Sequence, residues 1–237
     1  MKGTILQPTY LPWMGYFEMI DASEIFVVFD HVQFVKKSWH QRNKIKGPNG
    51  EILLTVPVRK MPRQSRICDI EICYEGSNPL EKHWEVISRT YNKARYFKDY
   101  ESVFAGVYSE RPKYLRDLNV RIITTICKLL GIKTEIVFSS ELKLAEENLD
   151  KSEKITALCE KVGITYLYDA KGAQEFIDIS TFAGKSIAIA FQNYEHPRYS
   201  QLFGKFTPYM SVVDLLFNEG QNSLETIRSG RKEPFTG

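Results

Sequence analysis

The chain lacks most of the signatures that name a chemistry outright. Only four cysteines occur, Cys68, Cys73, Cys127 and Cys159, and no two form CxxC. That spacing argues against a structural zinc ribbon and a dithiol redox centre. Four histidines, at positions 31, 40, 83 and 196, have no metal-ligand spacing, so no metal is expected. GxGxxG, GxxxxGK[ST], HExxH and GxSxG are all missing, which removes the usual dinucleotide, P-loop, zinc-protease and serine-hydrolase readings. No apolar run approaches the ~18 residues of a membrane span. The first residues start a strand pattern and lack a signal-peptide layout. The expectation is a cytoplasmic protein without membrane insertion, its thiols reduced. Net charge is only +3, and lysine and arginine are dispersed apart from a cluster at 36–46. That is too mild for a nucleic-acid partner.

What is present reads as an alternating α/β chain. The 237 residues, 43% hydrophobic and 26% charged, suffice for a sizeable core. Residues 4–6 and 25–29 read as buried parallel strands. Between them Met14, Phe17, Ile20 and Asp21 recur at helical spacing. Gly47-Pro48-Asn49-Gly50 signals a turn, so 47–75 is expected to hold a small antiparallel hairpin insertion, with 66–74 as a further strand. Helices are expected over 79–105 and 111–130, the latter capped by Gly131. Further on, strands at 134–138, 164–168 and 185–191 alternate with helices at 149–162 and 171–178. Asp150 and Glu153 suit a capping box, and 211–217 reads as a short helix. The rhythm predicts one domain over 1–237, a mostly parallel, doubly wound sheet opening with a Rossmann-like βαβ unit. Cys127 and Cys159 lie in apolar helical contexts and read as inert core thiols.

Two stretches crowd aromatic with polar groups and have no charge run to explain them. After the first strand come Gln7, Tyr10 and Trp13. After the second come Asp30, His31, Gln33, Lys37, Trp39, Arg42, Asn43 and Lys46. Late in the chain, His196, Tyr199 and Gln201 sit among further aromatic residues. Polar groups at the ends of buried strands are where open α/β sheets bind ligands. Arg and Lys suit phosphate or carboxylate, and Trp and Tyr suit the face of a sugar or base. Asp30 beside His31 is a candidate general-base pair, although neighbours on a strand point to opposite faces. Asp214, in an apolar helix, suits either a buried cation partner or a surface position.

QPTYLPWMGYFEMI, DHVQF…SWHQRNKIK…NG and HPRYSQLFGKFTPYMSVVDLLFNEG, three motifs in this order, resemble the WbqC-like protein family over about residues 5–229. The family typically occurs among genes for O-antigen and other cell-surface polysaccharide synthesis. The resemblance implies that pathway more than a reaction; together with the Trp, Arg, Lys and His loops, which suit an anionic, sugar-bearing ligand, it leads to the expectation of a transferase acting on a nucleotide-linked amino sugar by acyl or aminoacyl transfer to its amine. No cofactor would be tightly bound; an activated acyl or aminoacyl donor would serve, with acyl-carrier or other glycan-biosynthesis proteins as partners. His31 or His196 would take the amine's proton. Gln7, Gln33 and Asn43 would orient the substrate, and Arg42 with Lys46 would bind its diphosphate. Where similar proteins carry Ser-Gly after the strand at 164–168, this chain has Asp169-Ala170-Lys171-Gly172. The first βαβ unit also resembles, more faintly, the opening of HIGH-type nucleotidyltransferases. Trp13-Met14-Gly15-Tyr16 keeps that motif's glycine and lacks both histidines. A nucleotide-binding enzyme on that scaffold and a non-catalytic subunit of glycan assembly are the alternatives.

Overall fold

A computed structural model describes residues 1–144 and 149–236. Its centre is a six-stranded sheet in the order β5-β2-β1-β6-β7-β8. The strands are β1 (Lys2–Leu6), β2 (Ile25–Val28), β5 (Glu135–Phe138), β6 (Tyr166–Asp169), β7 (Ala188–Phe191) and β8 (Phe235–Thr236). All neighbours pair in parallel except β7 with β8. Apolar residues alternate along the strands, so successive side chains feed two cores on opposite faces. Leu6, Phe26, Val28 and Tyr168 join Phe17 of α1 (Met14–Asp21), Ile122 of α4 (Leu115–Leu130) and Leu216 of α7 (Val212–Glu219). Ile5, Val27, Leu167 and Phe191 join Leu158 of α5 (Lys151–Val162) and Phe182 of α6 (Ile179–Ala183). From β1 the chain steps one way to β2 and β5; β6 and β7 lie on β1's other side. Strand order therefore reverses between β1 and β6, where an open parallel sheet leaves a crevice beyond its strand ends.

Several local expectations hold. Asp150 and Glu153 form the reciprocal capping box, and Gly131 ends α4 in the left-handed region. The hairpin is β3 (Arg42–Gly47) with β4 (Gly50–Thr55), a separate sheet that starts earlier than expected. Others are corrected. Residues 66–74 form no strand: Ile67–Asp69 is a 3₁₀ turn. Their amides go to scattered partners, Ile67 to Val32, Cys68 to Asp30 and Ile72 to Lys113, so no ladder propagates. The helix expected over 79–105 is two, α2 (Pro79–Tyr91) and α3 (Phe97–Ser109). Between them the Tyr96 amide turns away to the Phe217 carbonyl. Residues 111–114 stay outside α4 because the Lys113 carbonyl and the Tyr114 bridge serve the 71–72 segment. The helix expected over 171–178 is a 3₁₀ turn at Lys171–Glu175 followed by α6. A last helix, α8 (Ser223–Ser229), leads into β8. No helix among the described residues is long and apolar enough to cross a membrane.

Candidate functional site

The site is built on the loop that leaves β1. Leu11 precedes Pro12 and sits at φ +46°, a left-handed conformation costing about 1–3 kcal/mol for a bulky residue. It persists because the loop's backbone is held from several sides. Asn43 Nδ2 donates to the carbonyls of Leu11 (2.6 Å) and Tyr10 (3.2 Å). Asn119 Nδ2 donates to those of Pro8 and His40. The Tyr10 amide donates to the Trp39 carbonyl. Tyr10 itself is fully buried beneath the loop, its hydroxyl bonded to His83 Nδ1 and Tyr108.

The stiff loop ends at Trp13, which lies across the first turn of α1. A Cβ on Gly15 would come within 2.3 Å of two indole carbons, so only glycine lets the ring lie there. Trp13 stacks on His196 (centroids 6.0 Å, 19° between planes) and meets Tyr209 at 5.4 Å and Tyr194 at 5.6 Å. Tyr209 is a second strained residue, φ +60°. Its amide donates to His196 Nε2, and His196 Nδ1 donates to the Pro197 carbonyl. Because the Tyr209 amide can only donate, the Nε2 atom carries no proton and the ring is neutral. Partial burial lowers its pKa further in that sense. Both nitrogens of His196 are thus engaged by backbone, and the ring acts here as a strut rather than a free base. A pocket of about 330 Å³ opens between these groups, lined by Thr9, Pro12, Trp13, Trp39, Asn43 and Tyr209, with Tyr16 at its base. Trp39 and Tyr209 are 51% and 61% exposed.

Beside the pocket, Gln7 projects from the end of β1. Its Oε1 lies 2.9 Å from His40 Nε2, and His40 Nδ1 accepts from the Val35 amide. An amide can only donate, so His40 carries its proton on Nε2 and gives it to Gln7. Burial holds the His40 pKa down to about 4, so the imidazole stays neutral at physiological pH. The Gln7 carboxamide is anchored by its oxygen and presents its N–H donors outward.

The remaining candidates fall into separate groups. Tyr199 and Gln201 direct their polar ends to Asp214 Oδ2, and Tyr91 donates to Oδ1. Asp214 is buried, and desolvation raises its pKa despite these bonds. Its hydrogen-bond partners are two tyrosine hydroxyls and an amide rather than a cation. Lys46 is buried too, and its ammonium donates to the Lys205 carbonyl. Arg42, at the start of β3, is half-buried. Lys37 is exposed at φ +61°. Asp30 and His31, at the end of β2, meet through Ser139: its Oγ donates to Asp30 Oδ1 and lies 2.6 Å from His31 Nδ1. Arg116 and Ser140 complete the shell around the fully buried Asp30. Gln33 binds the Arg63 carbonyl and lines a different hollow. Cys127 and Cys159 are buried thiols, pushed up to about 12 by desolvation.

The structure therefore brings together Trp13, Trp39, Asn43 and His196, from all three sequence motifs. It adds Tyr209 at the pocket and, in the separate cluster around Asp30, Ser139 and Arg116, none of which the sequence reading singled out. For Tyr209 the signal was Thr-Pro-Tyr-Met, an aromatic residue after a proline just before a helix. Asp169 is a further group at this edge: buried at the end of β6, it is pushed up to about 6 by desolvation. No group of three or more His, Cys, Asp or Glu side chains among the described residues could hold a metal ion.

Fold and site define a mixed α/β protein whose mostly parallel sheet carries an aromatic-walled hollow beyond the end of its first strand. The sequence matches the WbqC-like protein family over residues 7–226, and the chain belongs to that family. It is 32% identical over 233 residues, 98% of this chain and 99% of the relative, to a Mycobacterium tuberculosis protein named only Uncharacterized protein Rv1507c. No solved structure matches the chain.

Proposed function

We propose that this protein is a transferase of surface-glycan assembly on a Rossmann-like scaffold, and that it acylates or aminoacylates the amine of a nucleotide-linked amino sugar. The observation that carries the reading is the pocket itself. Four aromatic residues, Trp13, Tyr16, Trp39 and Tyr209, line about 330 Å³ beyond the C-terminal end of β1. Aromatic faces of this kind suit a sugar or a base, with about 1–3 kcal/mol per stacked base. Family membership supports the pathway, and the reversal of strand order between β1 and β6 supports the placement. The outward N–H groups of Gln7, fixed by neutral His40, orient the ligand's oxygens. In the reaction the sugar amine attacks the activated carbonyl carbon. A C–N bond forms, the C–S or C–O bond to the carrier breaks, and the amine's proton leaves with the carrier's sulfur or oxygen. His196 holds Trp13 and Tyr209 in place; the nucleophile's proton does not need it.

Isothermal titration calorimetry against uridine- and thymidine-diphosphate amino sugars, with their hydroxy-sugar counterparts, tests the reading. At least one amino sugar is expected to bind, and Trp13→Ala to weaken it by roughly tenfold or more. If no nucleotide sugar binds to protein with an intact circular dichroism spectrum, the reading fails.

A further inference from the structure

A second hollow, sharing none of the aromatic pocket's lining residues, lies between the segments 33–36 and 58–63. Its volume is about 560 Å³. Segments 33–36 and 58–63 wall it, tied by the bonds from Gln33 Nε2 to the Arg63 carbonyl and from the Phe34 amide to Ser65. Four cationic side chains line it, Lys36, Arg59, Lys60 and Arg63, and no acidic one does. Among the described residues, the Arg59 guanidinium makes only long ion-pair contacts, to Glu71 and Glu75 at 3.7 and 3.9 Å. Lys36, Lys60 and Arg63 make no ion pair among the described residues. Phe34, Val58 and Met61 supply an apolar wall.

Like charges gathered in a concavity raise the local concentration of anions. One carboxylate would neutralise one of these cations; three or four call for a group with several negative charges. The apolar wall would be wasted on an inorganic ion. We propose that this hollow binds an organic diphosphate ester, its phosphates on Lys36, Lys60 and Arg63 and its organic part against Phe34, Val58 and Met61. The site is independent of the aromatic pocket, yet one residue touches both surroundings. The His40 ring packs 5.7 Å from Phe34 and accepts from the Val35 amide, while its other nitrogen holds Gln7.

The chemistry has two sources, a nucleoside diphosphate and a coenzyme A-type thioester carrier, and titration at low salt separates them. Inorganic pyrophosphate, uridine diphosphate and coenzyme A are titrated into the full chain, into Lys60→Gln/Arg63→Gln and into Trp13→Ala. One ester is expected to bind more tightly than pyrophosphate and to be displaced by it. Its affinity should fall at least about tenfold in the double variant and on raising salt to about 0.3 M, and by less than that in Trp13→Ala, which weakens only the share of a nucleotide held in the aromatic pocket. Both substituted side chains are exposed, so the melting temperature should hold. Failure of all three probes to bind overturns the proposal. So does an ester no tighter than pyrophosphate, or binding that survives in the double variant. Binding lost only in Trp13→Ala overturns it as well, by moving the ester to the aromatic pocket.

Discussion

At the scale of single residues, the site turns on what Gly15 does not have. It sits in the first turn of α1, where helix propensity alone favours alanine by about 1 kcal/mol. The space argues the other way. An added Cβ would lie 2.3 Å from two indole carbons of Trp13 and 2.8 Å from a third, and overpacking of this kind costs about 1–3 kcal/mol. The clash is the larger effect, so Gly15→Ala is expected to lower the melting temperature. It should also unstack Trp13 from His196 and weaken aromatic-pocket ligands by roughly tenfold. Gly106, in α3, supplies the control, because nothing lies within 4 Å of its added Cβ. Gly106→Ala should stabilise by about 0.5–1 kcal/mol. Thermal melts of the two variants, with ligand titration of the first, decide between propensity and space. If Gly15→Ala also stabilises, Trp13 does not rest on that glycine.

At the scale of elements, the β1 loop and the β3–β4 hairpin form one unit, and Asn43 joins them. Its two bonds to the Tyr10 and Leu11 carbonyls hold the backbone at the left-handed Leu11. Asn43→Ala would leave buried carbonyls without donors, at about 1–3 kcal/mol, and free the loop that carries Trp13. Urea unfolding should show that loss of stability, and the aromatic pocket should lose affinity although Trp13 is intact. Unchanged affinity would mean the loop keeps its shape without this tie. Asn43 also marks the limit of reading the chain unaided. The βαβ opening, the Gly47–Gly50 turn and the Asp150 capping box were legible because each rests on partners a few residues away. The convergence of Trp13 and Trp39 was legible because aromatic groups crowded with polar ones at strand ends suit a ligand wall, although Tyr10 from the same stretch is core. The polar groups themselves were not. Tyr199, Gln201 and Lys46 read as ligand-facing, yet they bind Asp214 or a loop carbonyl, and Asn43, which does line the pocket, gives its amide hydrogens to the loop. Such partners lie outside the local sequence: Asn43 reaches Leu11 across 32 positions and Lys46 reaches Lys205 across 159. Residues 66–74 alternate like a strand but form none, because the amides of Ile67, Cys68, Ile72 and Cys73 go to different segments while those of Asp69 and Ile70 close a local turn.

At the scale of the whole molecule, the end of the chain sets where α1 lies, and α1 sets where Trp13 lies. Glu18 is completely buried on α1. It accepts from Arg231 Nε at 2.7 Å and from Gln192 Nε2 at 2.6 Å, with Tyr168 at 3.2 Å. Gln192 also donates to the Gly15 carbonyl, so the same network reaches the turn under the indole. Arg231 further pairs with Asp21, which Arg228 clamps through both carboxylate oxygens. The two arginines differ in what they leave behind. Arg228 is 55% exposed and its partner keeps Arg231, so Arg228→Met should cost no more than about 1 kcal/mol. Arg231→Met would strand a buried carboxylate with neutral donors only, at about 3–5 kcal/mol. Adding Glu18→Gln removes the stranded charge, so the double variant should recover much of the loss. Denaturant melts of the three variants measure this directly. Recovery by Glu18→Gln assigns the loss to an uncompensated charge. A double variant as unstable as Arg231→Met would instead assign it to lost packing of the chain's last segment against α1, and the pocket's geometry would then depend on shape rather than on the ion pair.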